Sequence, residues 1–506
     1  MWRFRLALVL ALTAILFGCP EREVEVSAES PDISAPDTPS DFKSFAHPDR
    51  IELFWDNPED DDFTGMLLVR SEGGDVDLPA WGEAYEAGDE LGDGVVAYVG
   101  DDEEFVDYDI SCGKGYKYYL FAFDDSHNYS APAKLEALPG GMAVPRIAFA
   151  ATTLADGRVL ITGGISYGGP TDTAEIFDPA TGEFRLIADR MSSSRFYHTA
   201  TLLADGRVLI AGGFKEGLSE TLATAEIFDP ATERFVRLSA ELNRARAGHK
   251  SYLLPDGDVL LVGGTDGITP LASAEVWNAE TEEFSELDDE MAYARVGFTM
   301  TPFERDGAQY LLVAGGVGTD GFALDTAEIF DTEQMRFENL AGEAGGVERM
   351  ACAHAAHGAV ALDASRILIV GGYEGDDVSG EPVACTEIFD PSSDEPFVRT
   401  GDLVQPRSGF AISTLADGRI AVFGGTGAWL EILGSAEVFD PESETWTSAG
   451  TMIVARTVPA AIPLDDGVLL VGGNASGNLF EPKPLATPEL FDPKGLNFSL
   501  FVSCSR

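Results

Sequence analysis

The chain has 506 residues, 45% hydrophobic and 24% charged, enough to bury a large core in two or three domains and too apolar for extended disorder. Acidic residues outnumber basic ones 86 to 33, a formal charge of −53, which disfavours nucleic acid and any other polyanion held by counterion release. The 55 glycines and 27 prolines point to short strands and many turns rather than helices.

In chain order, Trp2 to Arg5 carries two positive charges, residues 6–17 form an apolar run, and Leu16-Phe17-Gly18-Cys19 closes it. That is the layout of a secretory signal, and the run is too short to stay behind as a membrane span. A Cys directly after Gly18 resembles the bacterial lipobox. The resemblance implies a lipoprotein-type signal peptide over 1–18, a lipid on Cys19 and a place in the cell envelope, facing the periplasm or the cell surface; Phe17 is uncommon in its position, and plain secretion is the alternative. Residues 19–40, acidic and rich in Ser and Pro, read as a flexible tether.

Residues 41–138 alternate in strand fashion, most clearly at Ile51 to Trp55, Gly65 to Arg70 and Tyr116 to Phe123, and suggest a β-sandwich. With Trp55 on an early strand and Gly113-Lys114-Gly115-Tyr116 ahead of a long one, the stretch is similar to a fibronectin type III domain, which implies that Tyr116 is its tyrosine-corner residue. The Asp56 to Asp62 run has the carboxylates of a calcium loop without the spaced ligand pattern, and reads as a solvated acidic loop. Lys134 to Leu138 either closes the sandwich, the preferred place, or joins the outer edge of the next domain.

From Met142 onward the chain repeats. Diglycines follow apolar strands at Gly163-Gly164, Gly212-Gly213, Gly263-Gly264, Gly315-Gly316, Gly371-Gly372, Gly424-Gly425 and Gly472-Gly473, every 48 to 56 residues. A second signal keeps phase with them: AEIFDP and its variants, beginning at Ala174, Ala225, Ala274, Ala327, Thr386, Ala436 and Pro488. An Arg opens each unit and an aromatic, from Phe184 to Phe498, closes it. Asp-Gly pairs at Asp156, Asp205, Asp256, Asp306, Asp417 and Asp466 tolerate the positive φ of a type I′ hairpin between the first two strands. Each unit therefore reads as a four-stranded antiparallel sheet. The repeats resemble kelch β-propellers over residues 140–500. The expected architecture is all-β: a small fibronectin type III-like sandwich followed, over 139–506, by a seven-bladed kelch-like propeller.

Antiparallel pairing puts the start of the first strand, the end of the second and the start of the third at one edge of each blade. An Arg ring (Arg146, Arg195, Arg246, Arg295, Arg349, Arg407, Arg456) and a Glu ring (Glu175, Glu226, Glu275, Glu328, Glu387, Glu437, Glu489) then lie on either side of the diglycines. Equal numbers and strict repetition mark these charges as already matched and structural. The resemblance also implies that the loops entering the first strand and following the diglycine line one end of the central channel. Those after the diglycines run 9 to 11 residues, except 13 in blade five from Tyr373 and 14 in blade seven from Asn474. Recognition sits on variable loops, so Tyr373, Trp429, Phe214, Phe480 and Asn474 are candidate ligand-face residues.

Catalysis has little support. The resemblance raises galactose-oxidase-like copper radical chemistry, whose two Tyr, two His and Tyr-linked Cys have no matching constellation. His198 and His249, three residues after a blade Arg where other blades have Phe149, Phe298 and Phe410, read as buried packing residues. His354 and His357, three apart on an expected strand, face opposite sides, so no metal and no cofactor is expected. Of the cysteines, Cys352 and Cys385 in blade five are a possible disulfide across lanes about 9.6 Å apart, free thiols being the alternative. Cys112 with Cys504 is a second possible pairing. The sequence thus describes a non-enzymatic, exported, lipid-anchored binding or scaffold protein for a protein or glycan ligand. A carbohydrate-active enzyme on the same face and a purely structural envelope component are the rival readings.

Overall fold

The computed structural model describes residues 34–501 apart from 47–49, 75, 113, 138, 341–348, 377–379 and 477–481. Cys19, the signal sequence, Phe480 and Cys504 lie outside the described residues.

Alternating apolar positions fold the first domain into two antiparallel sheets. One contains Ser40–Ala46, Ile51–Asp56 and Glu104–Asp107; the other runs in the order Glu90–Leu91, Gly94–Gly100, Phe63–Ser71, Tyr116–Asp124, Ala133–Ala137. Their facing side chains, among them Ile51, Leu53, Trp55, Met66, Leu68, Tyr118 and Leu120, form one core. The Tyr116 hydroxyl accepts the Ser111 N–H at 2.7 Å, tying the strand to the chain just upstream. Buried Asp107 accepts from Arg70 at 2.8 Å and from the Tyr118 hydroxyl at 2.7 Å, so neither sheet carries an orphaned charge there. In the acidic loop, the Asp60 carboxylate accepts the Asp37 N–H at 2.8 Å. Ala133–Ala137 pairs with Tyr116–Asp124, so this segment belongs to the sandwich and the ring beyond it closes without a borrowed strand.

Seven four-stranded antiparallel sheets follow, each from contiguous chain. Blade one is Ala150–Thr153, Val159–Thr162, Ala174–Asp178 and Glu183–Leu186; blade five is Gly358–Ala361, Ile367–Val370, Thr386–Phe389 and Phe397–Arg399; blade seven is Ala460–Leu464, Gly467–Val471, Glu489–Asp492 and Asn497–Leu500. The second strands are runs of Val, Leu and Ile because both faces are covered. Third and fourth strands clasp through aromatic pairs in direct register, Phe177 on Phe184 at 4.7 Å and Phe439 on Trp446 at 5.2 Å.

Every blade packs on the next. Leu160 and Ile176 of blade one meet Val208 and Phe228 of blade two, and the series ends with Leu469 and Val471 of blade seven against Ile161 and Phe177 of blade one. Burying each such side chain contributes about 1.5–3 kcal/mol. A circle of backbone hydrogen bonds runs beside these cores. The second glycine of each pair donates to the carbonyl opening the next blade: Gly164 to Arg195, Gly213 to Arg246, Gly264 to Arg295, Gly316 to His354, Gly372 to Arg407, Gly425 to Arg456 and Gly473 to Arg146, at 2.7 to 3.1 Å. The last of these joins blade seven to blade one, so the ring is closed.

The hairpins differ from expectation. Both φ values are positive only at Asp306 and Gly307 (54° and 82°); at Asp156, Asp205, Asp256 and Asp417 only the glycine is left-handed. In blade one, Gly157 N–H bonds Leu154 C=O and Leu154 N–H bonds Arg158 C=O, a type I turn completed by a left-handed glycine. The extra residue supplies the strand twist that a primed turn supplies in a two-residue loop.

This geometry separates two kinds of glycine. A Cβ at Gly157 (φ +87°) meets nothing within 4 Å, whereas at Gly212 (φ +62°) it would lie 2.4 Å from the Arg246 carbonyl oxygen of the next blade. Gly157→Ala should cost about 1–2 kcal/mol for the left-handed backbone alone. Gly212→Ala should cost clearly more, compared by urea denaturation midpoints; equal losses would separate the diglycines from ring closure.

Candidate functional site

At the edge where the blade begins, in six of the seven blades, a fully buried Arg reaches across the open lane above the diglycine. Arg146 Nη1 donates to the Gly163 and Thr173 carbonyls at 2.7 and 3.1 Å, and Nη2 to Thr173 Oγ1 and Glu175 Oε1 at 3.1 and 2.8 Å. Arg195 with Glu226, Arg246 with Glu275, Arg295 with Glu328, Arg407 with Glu437 and Arg456 with Glu489 repeat the ion pair at 2.5 to 2.8 Å with side chains at most 2% exposed. Each pair lies within one blade. The Glu also accepts amides of the segment leading into that blade: Ala143 and Val144 onto Glu175, Asn243 and Arg244 onto Glu275. Burial pushes these guanidinium groups below their ordinary value and the adjoining carboxylates pull them back, so the pairs persist only because each charge is answered.

Blade five breaks the series. Arg349 is not a ring member: its side chain is 54% exposed and pairs with Asp325. The ring Arg lies 17 residues before the first glycine in blades one, two, three and six, and 17 before Gly371 stands His354. His354 Nδ1 lies 2.6 Å from the Gly371 carbonyl oxygen and Nε2 3.1 Å from Glu387 Oε1. Glu387 still accepts the Ala351 and Cys352 amides at 2.7 and 3.0 Å. Cys385 takes the place of the hydroxyl residue Thr173, and Cys352 and Cys385 are joined in a disulfide with Cα atoms 6.6 Å apart. The lane spacing does not govern this bond, because Cys352 precedes the first strand, on the lead-in that Glu387 draws over the third. Cys112 is also disulfide-bonded.

His198, His249 and His357 occupy one equivalent position and are buried, each with Nε2 on a Thr hydroxyl of the preceding blade at 2.8 to 2.9 Å. Burial, followed by nearby cationic or imidazole groups, holds all three well below the usual histidine range. The His354 and His357 rings are 5.5 Å apart and precede the strand Gly358–Ala361, so alternation across a sheet does not separate them. First strands of successive blades adjoin and form the inner wall of the ring. On that wall Lys250 stands where other blades have Ala150, Thr199, Thr299, Gly358, Ala411 and Ala460, and desolvation pushes its ammonium below the ordinary lysine value.

Three expected ligand-face residues turn out to be loop bases. Phe214, Tyr373 and Asn474 each follow a diglycine and bridge to the residue after the ring position, at Phe196, Ala355 and Thr457. Phe214 is buried against Phe196 and Tyr197, and cannot offer a face. Asn474 is 1% exposed, its Oδ1 accepting the Ser476 and Lys483 amides at 3.0 and 2.8 Å. Pairing at this position is what roots each loop. Trp429 lies at a tip instead, 96% exposed. Beside it on the same end, Leu218, Ile268, Phe322 and Leu430 at the tips of the loops of blades two, three, four and six are 47 to 86% exposed, and Val404 and Ile453 on lead-in segments 61 and 55%. The exposure lies at the loop tips, where of the candidate residues described only Trp429 sits, and not at the loop bases.

Two stretches, residues 146–191 and 406–453, match the Kelch motif. No curated protein matches the chain. Among solved structures, one described as the structure of YjhT is 13% identical with a TM-score of 0.46, covering 61% of this chain and 98% of that one. A fungal alcohol oxidase of the AA5 family, in complex with copper, is 17% identical with a TM-score of 0.53, covering 71% of this chain and 77% of that one. The Kelch motifs, the likeness to the copper-bound oxidase and the seven sheets give the large domain a kelch-like β-propeller fold; likeness at this level of identity concerns fold alone.

Arg246→Met leaves Glu275 buried against two amides without its cation and should cost about 3–5 kcal/mol. Adding Glu275→Gln should recover part of that loss; a double variant no better than the single would mean that the charge pair is not what is lost. The three histidines contribute to the acid limb of stability. Their folded-state values lie below the ordinary 6.5, so between the two values the unfolded chain binds more protons and stability falls as pH drops below about 6.5. The triple variant His198→Phe, His249→Phe, His357→Phe should flatten that fall, measured as melting temperature between pH 7.5 and 4.5.

Proposed function

We propose that the protein is an exported, lipid-anchored, non-catalytic binding protein whose propeller presents one loop face to a protein partner. The observation that carries this reading is the distribution of exposed apolar side chains. Leu218, Ile268, Phe322, Trp429, Leu430, Val404 and Ile453 all lie at the end of the propeller where the blades begin. Seven of the ten exposed large apolar side chains on the propeller's described residues lie there, the other three, Val236, Val398 and Leu500, being spread over outer strands, and such a concentration marks a surface that meets another molecule. Mostly aliphatic tips, with Trp429 and Phe322 as the aromatic ones, suit a protein better than a glycan. The sandwich, with its three- and five-stranded sheets and the Tyr116 to Ser111 bond, fits a fibronectin type III-like spacer. The charged, apolar and Cys19-terminated start fits a lipoprotein signal, with residues 19–40 as tether.

The test uses the full chain expressed in a bacterial host. Wild type should sediment with membranes and Cys19→Ser should be released. In crosslinking to envelope proteins followed by titration of the purified partner, Trp429→Ser with Ile268→Ser should weaken binding at least tenfold, about 1.4 kcal/mol. Val236→Ser, on an outer strand, should leave it unchanged. Equal binding by both variants would remove the loop face from recognition, and release of wild type from membranes would remove the anchor.

A further inference from the structure

We propose that Cys352, His354, Cys385 and Glu387 form a reduction-gated site for one thiophilic divalent cation of the zinc type. The ligating atoms of these four residues lie within 4.8 Å of one another, and all but Cys352 are buried. Thiolate, imidazole and carboxylate are each donors that zinc takes, and four of them fill a tetrahedral site.

The arrangement approaches that tetrahedron on two edges. His354 Nε2 is 3.1 Å and Cys385 Sγ 3.8 Å from Glu387 Oε1. With metal–ligand bonds of about 2.0 to 2.3 Å, the corresponding edges are roughly 3.3 and 3.5 Å. Opening the disulfide lets the sulfurs part to roughly 3.8 Å, a third edge of the same figure. The outer contacts are also in place. His354 Nδ1 is held on the Gly371 carbonyl at 2.6 Å, which turns Nε2 inward, and Glu387 is oriented by the Ala351 and Cys352 amides.

The other six blades show why the site is confined to this one. There a guanidinium fills the space, lying against the Glu and a Thr or Ser hydroxyl in five of them and against the Glu and the Thr487 carbonyl in blade seven. Blade five has exchanged that long cation for a shorter ring and the hydroxyl for a thiol, with a second thiol above. A metal ion at the centre would restore the positive charge that Glu387 faces in no other form as permanent as an Arg. The steps balance. An external dithiol gives two electrons and two protons to the Cys352–Cys385 bond and leaves as its own cyclic disulfide; the cation then displaces the two thiol protons to solvent.

The test is a Co2+ titration of the full chain, as isolated and after reduction, under anaerobic conditions with folding followed by circular dichroism. Reduced wild type should take up one equivalent, with the visible bands of tetrahedral cobalt and thiolate charge transfer, and Zn2+ should displace it. The disulfide form should show neither. His354→Arg keeps every cysteine and rebuilds the arrangement of the other blades, so it should fold and bind cobalt at least tenfold more weakly; Cys352→Ser, which removes one sulfur, should also lose the charge-transfer intensity. Reduction that unfolds the chain, absence of tetrahedral bands in the reduced wild type, or bands unchanged in either variant would overturn the proposal.

Discussion

The propeller depends on a charge that cannot be left alone. A guanidinium taken fully out of water is tolerated only where its charge is opposed and most of its donors are occupied, and each ring Arg meets that demand through its Nη groups, which reach the diglycine carbonyl and the start of the third strand with its Glu, while Nε of Arg195, Arg246 and Arg407 is left without a partner. The Glu in turn holds the lead-in amides. One pair therefore fixes the relative position of the lead-in and all three inner strands. The carbonyl of the same Arg accepts from the preceding blade, so the geometry within a blade and the spacing between blades are set at one residue. Glycine is required beside it because a Cβ at the first position of the pair would press on that carbonyl, and a Cβ at the second on the backbone after the ring position of its own blade.

A sevenfold device of this kind makes its exception informative. Blade five keeps the Glu, the lead-in amides and the interblade bond from Gly316 to the ring carbonyl, and so keeps its place in the circle, while His354 and the Cys352–Cys385 bond replace the guanidinium and the hydroxyl. The structural duties of the ring position are thus separable from its charge. The backbone does the spacing, and the side chain is free to vary wherever another group can answer the carboxylate.

The same division appears at the rims. The residue after each diglycine pairs with the residue after the ring position in every blade, from Ile147 with Ile165 to Thr457 with Asn474, so the loops begin from a rigid collar and diverge only beyond it. Leu218, Ile268, Phe322 and Trp429 sit at the tips beyond that collar. A rigid base with exposed tips spends little ordering entropy on meeting a partner, which is how loops on a propeller come to be used for recognition.

The strand count, blade number and pairing of Arg with Glu were legible in the sequence because they rest on periodicities that survive translation into space: a repeat near 50 residues, alternation along strands, and an antiparallel edge that brings three marked positions together. The residue at the ring position of blade five was not, since reading by residue type picks Arg349, whereas what identifies His354 is the 17-residue separation from the first glycine that it shares with the ring Arg of four other blades. Nor was the reach of Cys352: lane spacing describes strands, and this residue lies on a lead-in whose path is set by the buried carboxylate of Glu387. Aromatic type likewise singled out Phe214, although its burial depends on Phe196 and Tyr197, which meet it only across the folded blades. The sequence alone determines what repeats; the tertiary structure decides which member of the repeat is exposed, buried or exchanged, because those outcomes turn on neighbours that come from other blades.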